Sequence, residues 1–301
     1  MFKHRTGNRR RKISGNRLRK PAAKTERAER EERQHRQHVD RILVRYIESF
    51  VAAVRFLTVI PLPGSLGSSS RELAGAVPFF PLIGLLLGCI ALPLAKGLQL
   101  FLPPPVTAVS VTLLLLSFSG GLHLDGLADT ADGFFSSRPK ERILEIMRDS
   151  ATGAMGVIAL ILLLVCKITC LASMPADRLL VAVFLMPLAG RTAILLLMAM
   201  LPYIRPEGGL GSLFSAYFNN SHARAVSLAA LLVFGGITWG AVGVQGLPVV
   251  FAVLLLAALF AAFCRRKIGG VTGDTLGAVC ELAEAVVAFV FVCRIGGGVW
   301  V

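Results

Sequence analysis

Three aspartates lie close together in an otherwise apolar part of this 301-residue chain: Asp125, Asp129 and Asp132, in the stretch LHLDGLADTADGFF. Spacings of four and three residues put the three carboxylates on one face if the segment is helical. Carboxylates this close repel each other unless a cation neutralises them, and Mg²⁺ prefers carboxylate oxygens and commonly bridges to substrate phosphates. The spacing therefore predicts a metal site, and an acidic loop whose aspartates cap helices is the alternative.

Groups that can assist phosphate chemistry lie on both sides of these aspartates. His123 can orient a carboxylate, ligate a metal or act as a general base, although a buried histidine with a structural role is an equal alternative. In MRDSATGAMG, Arg148 and Asp149 are followed by a serine and two glycines. Because a cation, a hydroxyl and bare backbone together can hold phosphate, we predict that Arg148 and Asp149 contact phosphate or nucleotide.

A second acidic group lies near the end of the chain, in and after the glycine-rich stretch GGVTGDTLGA. Asp274 and Glu281 are seven residues apart, about two helical turns, so both project from the same face of a helix. Glu281 and Glu284 fall inside an apolar run, where a carboxylate is costly and marks a candidate functional site. We therefore predict Asp274 and Glu281 as metal ligands and Gly273 as a point of close substrate approach.

An arginine is also embedded in an apolar run. Arg191, in MPLAGRTAILLL, needs a carboxylate, a phosphate or a water-filled cavity beside it. Substrate phosphate is the functional interpretation, and an ion pair with Glu281 or Glu284 is the structural one. Together these residues predict an acidic, glycine-rich pocket with a few arginines, which is suited to metal-assisted phosphoryl transfer.

The composition predicts that a membrane-embedded bundle positions these groups. Of the residues, 54% are hydrophobic and only 17% are charged, and the apolar residues occur in long runs. Each run approaches the ~20 residues that cross a bilayer, which is typical of an all-α, polytopic membrane protein. We predict about seven spans, at residues 76–101, 106–120, 151–172, 179–201, 225–244, 247–264 and 276–294.

An amphipathic helix precedes these spans. In residues 41–60, apolar side chains occupy one helical face, and Arg41, Arg45 and Glu48 lie on the other. This pattern favours a helix that lies in the membrane interface and does not cross the bilayer. We expect the helix to end before Pro61.

The distribution of basic residues predicts the topology. With seven spans and a cytoplasmic N-terminal segment, three basic loops emerge on the cytoplasmic side, at 121–150, 202–224 and 265–275. The loops on the opposite side contain Arg178 alone among Lys and Arg. Both acidic groups then emerge at the cytoplasmic face, so we expect them to meet there.

The net charge of +14 is concentrated at the start of the chain. Residues 1–41 contain 15 Lys or Arg and 5 Asp or Glu, which accounts for +10 of the total. We predict a basic cytoplasmic tail at 1–40 that is disordered, or helical only on contact with a partner, and a membrane-embedded catalytic domain at 41–301. A polybasic segment beside a membrane domain favours anionic lipid as its partner, and no nucleic-acid partner is expected.

Four segments together resemble the cobalamin synthase family, the adenosylcobinamide-GDP ribazoletransferases of bacteria and archaea. They are VRFLTVIPLP, GGLHLDGLADTADG, MRDSATGAMG and GGVTGDTLGA, and the string HLDGLADTADG is highly specific. The resemblance covers roughly residues 50–295 and leaves out the segment 1–40.

The resemblance implies a Mg²⁺-dependent transferase of a substituted phosphate group, embedded in the cell inner membrane with its site facing the cytoplasm. It implies that the chain joins adenosylcobinamide-GDP to α-ribazole or its 5′-phosphate and releases GMP. Expected protein partners are a second copy of the chain or other cobalamin-assembly enzymes. We assign a catalytic role to His123 as base and to Asp129 and Asp132. The metal candidates are Asp125, Asp129, Asp132, Asp274 and Glu281, and the substrate or phosphate candidates are Arg148, Asp149, Arg191 and Gly273.

Two other functions are compatible with parts of this pattern. The DxxDG spacing from Asp129 to Gly133 resembles, more weakly, the metal motif of CDP-alcohol phosphotransferases that act on lipid alcohols, but the usual DGxxAR continuation is absent. A cation- or proton-coupled transporter could use Glu281, Glu284 and Arg191 as a relay. The transporter predicts polar residues at mid-depth, whereas this chain concentrates its acids at the ends of the apolar runs.

Overall fold

The computed structural model describes Met1, residues 19–205 and residues 213–293, without the side chains of residues 19–31, 35 and 215. The described residues are helical, with no strand among them and one isolated backbone bridge. This confirms the predicted all-α class. The helices are α1 (Arg19–Leu57), α2 (Ser70–Ala74), α3 (Phe80–Phe101), α4 (Pro104–Ser119), α5 (Leu122–Phe134), α6 (Lys140–Ile146), α7 (Ala154–Ala172), α8 (Ala176–Met200), α9 (Ser221–Val242), α10 (Leu247–Ile268) and α11 (Gly273–Val292).

The chain divides into two compact units, residues 1–47 and residues 48–301. In the first, α1 begins at Arg19, inside the segment 1–40 for which the composition predicts disorder. The difference has a local cause, because residues 19–40 are rich in Ala, Glu, Gln, Lys and Arg, which are strong helix formers. A contact between Arg36 and Glu32, 2.6 Å apart at i,i+4 spacing, adds to this preference. Residues 2–18 of the predicted tail lie outside the described residues.

In the second unit, α8 is the central helix. Its side chains from Leu185 to Ala199 are buried all round, as expected of a helix without a polar face. It packs against α3, α9, α10 and α11. On α3, Gly84 and Gly88 are one turn apart and lie directly against the α8 backbone at Pro187 and Phe184, the small-residue contact that lets membrane helices approach closely.

Several helices are long and apolar enough to cross a membrane. By length and composition, the described residues contain five such stretches, or six if the bent pair of α4 and α5 counts as one span. One stretch, Ser221–Ile268, has 48 residues and contains α9 and α10 with a 3₁₀ turn at Gly243–Gly246 between them. Because about 20 residues cross a bilayer, this stretch is long enough for two crossings. Counted separately, α9 and α10 correspond to two of the seven predicted runs.

A sharp bend between α4 and α5 positions the first acidic group. Gly120 and Gly121 both have positive φ, at 60° and 80°, a conformation that favours glycine. The chain therefore turns by 91° between α4 and α5. The predicted span at 106–120 thus ends where predicted, and the aspartate motif forms its own helix.

Candidate active site

The two acidic groups meet where α5 packs against the first turns of α11. A β-carbon added at Gly126 would stand 2.7 Å from the carbonyl oxygen of Asp274, and one at Gly277 would stand 3.2 Å from the Cα of His123. Only glycine allows so close an approach of two helix backbones at both points. The expectation that the two groups meet is confirmed, because residues about 150 positions apart share one helix crossing.

A cavity of about 260 Å³ opens at this crossing. Its polar lining comes from His123 and Asp125 on α5, Asp274 on α11, and Tyr203 and Arg205 in the segment after α8. Predicted Gly273 also lines it. The remaining walls are apolar and include residues of α1, α3, α8 and the segment before α9: Phe56, Leu57, Phe80, Ile194 and Phe214. A mostly apolar cavity with a few convergent polar groups is the usual form of a small-molecule site.

Arg205 and Asp274 form an ion pair inside this cavity. Nη2 of Arg205 lies 2.8 Å from Oδ2 of Asp274 and also donates to the carbonyl oxygen of Met147 at 3.3 Å. The hydroxyl of Thr272 donates to the same Asp274 oxygen at 3.3 Å. Nε of Arg205 is buried and has no hydrogen-bond partner among the described residues. A buried unsatisfied donor costs free energy, so Arg205 has a donor available for an acceptor on a ligand.

A pair of backbone hydrogen bonds holds Arg205 in place. The amide of Val271 donates to the carbonyl of Pro202 at 2.9 Å, and the amide of Ile204 donates to the carbonyl of Val271 at 3.1 Å. These strand-like bonds fix the end of the α8 segment beside the start of α11. Sequence reasoning counted Arg205 only as a basic loop residue. Its position next to the predicted second acidic group was not visible without the fold.

Tyr203 lies beside Arg205 in the cavity wall. Burial is the largest influence on its phenol and raises its pKa above the usual value. The hydroxyl therefore stays protonated at neutral pH and can donate a hydrogen bond. The ring packs against Phe218, with centroids 5.3 Å apart, which fixes its orientation.

The three aspartates of α5 have different surroundings. Asp125 lines the cavity, and Asp129 is half-buried within electrostatic reach of Asp125, Asp132 and Asp274. Both oxygens of Asp132 accept backbone hydrogen bonds at the start of α7, from Gly153 at 2.6 Å and from Gly156 at 2.8 Å. Asp132 therefore caps α7 from a neighbouring helix, which was the alternative to a ligand role for these aspartates.

Arg148 and Asp149 are exposed and are not among the residues that line the cavity. Oδ1 of Asp149 accepts a hydrogen bond from the amide of Ala151 at 3.1 Å and so shapes the loop before α7. Arg148 follows α6 and lies within electrostatic reach of Tyr203. The two predicted phosphate contacts are thus near the rim and outside the cavity itself.

A second group of charges is buried among α7, α8 and α11. Nζ of Lys167 lies 2.6 Å from Glu281 and 2.9 Å from Glu284, and Arg191 pairs with Glu284 at 2.5 Å. All four side chains are at most 5% exposed. Arg191 therefore forms an ion pair with Glu284, which was the structural alternative to a contact with substrate phosphate. Glu281, predicted as a metal ligand, is paired with a lysine, and neither lines the cavity.

The sequence analysis did not single out Lys167. The available signal was that Lys167 is the one charged residue of α7, and a lysine inside an apolar run needs a buried counter-ion. His123 lies between the two regions: its side chain is buried, lines the cavity, and is within electrostatic reach of Arg191, Glu284 and Lys167. His123 is therefore the cavity residue through which the buried charges can influence the site electrostatically.

The donor set at the cavity fits a magnesium ion held largely by substrate. In the part of the chain that the structure describes, no three His, Cys, Asp or Glu side chains are arranged to hold a metal. Mg²⁺ commonly binds through one or two carboxylates and completes its shell with water and substrate phosphates. Asp125 and Asp129 are suited to this, because the described residues give neither carboxylate a hydrogen-bond donor, and Asp274 lies beside them.

Comparisons with known proteins agree on one family. The family model described as cobalamin-5-phosphate synthase matches residues 49–292. A protein of Desulforamulus reducens named adenosylcobinamide-GDP ribazoletransferase is 38% identical over 242 residues, 80% of this chain and 95% of the relative. Proteins of the same name from Klebsiella pneumoniae strain 342 and Roseiflexus sp. are 40% and 39% identical, covering 79% and 78% of this chain and 96% and 85% of the relatives. No solved structure gives a significant match.

Proposed function

Since the chain belongs to the cobalamin-5-phosphate synthase family, we propose that the cavity between α5 and α11 is where it joins adenosylcobinamide-GDP to α-ribazole or its 5′-phosphate. A hydroxyl oxygen of the ribazole forms a bond to the cobinamide-side phosphorus of the diphosphate. The bond from that phosphorus to the oxygen shared with GMP breaks, GMP leaves, and the hydroxyl proton passes to a base.

The observation that carries this proposal is the contact between Arg205 and Asp274 at 2.8 Å, directly across from the aspartates of α5. The guanidinium of Arg205 is held in place and has one unused buried donor, which can bind the negatively charged diphosphate. The carboxylates beside it can bind the cation that accompanies the diphosphate.

We propose that Asp125 and Asp129, with Asp274 beside them, hold Mg²⁺. When bound, Mg²⁺ supplies neutralisation of the diphosphate's negative charge. Arg205 binds a diphosphate oxygen through Nε, and the protonated hydroxyl of Tyr203 donates to the same anionic group. His123, which lines the cavity, accepts the hydroxyl proton.

The size of the cavity limits what it can hold. About 260 Å³ is below the ~300–1,000 Å³ of pockets that enclose a drug-sized ligand, so the cavity accommodates the reacting diphosphate and leaves the corrin ring outside. Gly273, exposed at the cavity edge, permits close approach of the donor. We assign Arg148 and Asp149, which are exposed outside the cavity, to the guanosine end of the donor. Arg191 and Glu281 do not line the cavity, so we assign them no contact with substrate.

We further propose that the site opens to the cytoplasm from a multi-pass protein of the cell inner membrane. The support is the basic character of the loops that flank the acidic groups, compared with Arg178 alone on the opposite side. Cytoplasmic access is also required for a GDP-linked donor that cannot cross a bilayer.

The test is to incubate the purified protein, in detergent or in liposomes, with both substrates, with and without Mg²⁺. The expected result is GMP and a cobamide in equal amounts, formed only when Mg²⁺ is present. A CDP-lipid donor offered with a lipid alcohol is the control for the alternative phosphotransferase. Turnover of the CDP-lipid without turnover of adenosylcobinamide-GDP would reject the proposal.

A further inference from the structure

A second cavity is a groove on the other face of α5, away from the aspartates. Its volume is about 590 Å³, within the range of pockets that hold a small-molecule ligand. Leu127, Thr130 and Phe134 of α5 line its base, so a single helix separates it from the proposed active site. None of the charged residues described above takes part in it.

The groove is open along one side of the helical bundle. α7 packs against α5 and α11, and α10 packs against α11, which leaves the groove between α7 and α10. Three of its lining side chains remain more than half exposed: Leu162 at 64%, Phe135 at 60% and Phe289 at 54%. In a protein whose apolar helices cross a membrane, a side opening of this kind faces lipid, and its occupant must be apolar.

The groove is elongated along the helices. It begins near the end of α10, at Phe263, and continues past the middle of α7 and α11, to Cys166 and Phe289. One lining residue is polar: Thr130 is 4% exposed, and its hydroxyl has no hydrogen-bond partner among the described residues. An elongated and almost wholly apolar space matches an extended acyl chain.

A basic cluster lies at the end of the groove where α10 finishes. Nζ of Lys267 donates to the carbonyl oxygen of Phe134 at 2.5 Å and lies 5.8 Å from the ring centroid of Phe263, and both of those residues line the groove. Arg266 precedes it in the last turn of α10 and is exposed, whereas Arg265 lines a different cavity, between α8, α9 and α10. Nζ of Lys140 also approaches this end, at Gly269. The cluster has no acidic partner among the described residues.

We propose that this groove binds one acyl chain of an anionic phospholipid, whose headgroup phosphate lies on the basic cluster Lys140, Arg266 and Lys267. The acyl chain accounts for the apolar space, and the anionic headgroup accounts for three cations without an acidic partner among the described residues at one end of it. Basic residues at a membrane surface attract anionic lipid with about 1 kcal/mol each, which corresponds to about fivefold in affinity. Because the groove contacts α5, the lipid also stabilises the helix that carries the catalytic aspartates.

The test measures lipid binding, so it does not depend on the proposed enzymatic activity. Native mass spectrometry of the full chain, released from mixed phosphatidylcholine and phosphatidylglycerol nanodiscs, is expected to show one retained phosphatidylglycerol. Ala159→Phe places a ring in the groove from α7 and should abolish this retention. Ala258→Phe, on the exposed side of α10, is the matched control and should retain lipid as the unmodified chain does.

The headgroup contact is tested separately. Arg266→Gln should lower phosphatidylglycerol affinity about fivefold, whereas Arg224→Gln, an exposed arginine on α9, should leave it unchanged.

Retention of lipid by Ala159→Phe, with a normal circular dichroism spectrum, would overturn the acyl-chain site. Equal retention of phosphatidylcholine and phosphatidylglycerol would overturn the anionic headgroup. A mass of two chains that Ala159→Phe reduces to one would show that a second copy occupies the groove instead.

Discussion

Gly126 of α5 and Asp274 of α11 are in backbone contact: a β-carbon at Gly126 would stand 2.7 Å from the carbonyl oxygen of Asp274 and 3.0 Å from its Cα. This contact sets the distance between the two acidic groups. No side chain intervenes, so nothing flexible can absorb a larger residue there.

Gly126→Ala should therefore separate α5 from α11 and lower the rate of transfer by about 100-fold, the effect expected of a misplacement of about 1 Å at a reacting centre. The measurement is GMP release at saturating substrates. Gly236→Ala is the control, because a β-carbon at Gly236 on α9 meets nothing within 4 Å. Near-normal turnover by Gly126→Ala would show that this approach does not position the site.

Asp129→Asn should abolish transfer while the protein stays folded in the membrane. The asparagine keeps the shape but removes the negative charge proposed to hold Mg²⁺. A loss of at least ~100-fold is expected, because outer partners of metal ligands alone contribute ~10–100-fold. Asp177→Asn, at an exposed position in the first turn of α8, is the charge-matched control. Wild-type turnover of Asp129→Asn at the same Mg²⁺ concentration would refute the metal role.

Asp132→Asn distinguishes a cap from a ligand. One carboxylate oxygen is replaced by an amide nitrogen, which cannot accept a hydrogen bond. Either Gly153 or Gly156 then loses its acceptor, so the cap of α7 is weakened. We expect a loss of about 0.5–2 kcal/mol in stability, seen as a lower thermal midpoint in detergent, with a partial loss of activity. Complete loss of transfer at an unchanged midpoint would instead assign Asp132 to the metal.

Arg205→Gln should lower the rate of transfer about 100-fold, since it removes the charged donors proposed to bind the diphosphate. Arg205→Lys keeps the charge but not the planar fork of donors, so it should restore only part of the rate. Comparing kcat with KM for the two variants shows whether the guanidinium acts on bound substrate or in the transition state. If both variants were as active as the unmodified chain, Arg205 would be excluded from the site.

Lys167→Met leaves Glu281 without a partner and Glu284 with Arg191 alone. Removing one partner of a buried ion pair costs about 3–5 kcal/mol, because the remaining charge is uncompensated. Adding Glu281→Gln to Lys167→Met should recover most of that loss, since the neutral amide needs no counter-ion. Thermal unfolding of the two single variants and the double variant gives the coupling. Additive losses would show that Lys167 and Glu281 do not interact.

Local sequence determined the helices and the chemistry available to them. Runs of about 20 apolar residues determine where helices form, because a single segment in lipid can make all of its backbone hydrogen bonds internally only as a helix. The paired glycines after α4 fix the bend, and the spacing of Asp125, Asp129 and Asp132 fixes their common helix. These are properties of neighbouring residues, which is why the all-α class, the bundle and the acidic motifs could be predicted.

Only the tertiary structure decided which charges are partners. Lys167 and Glu281 are 114 positions apart, and Arg205 and Asp274 are 69 apart, so no local periodicity relates them. Asp132 and Glu281 were predicted with the other acids, yet one caps α7 and the other neutralises a buried lysine. A carboxylate takes its role from the donor or cation that packing brings within about 3 Å, and the order of residues along the chain does not specify that neighbour.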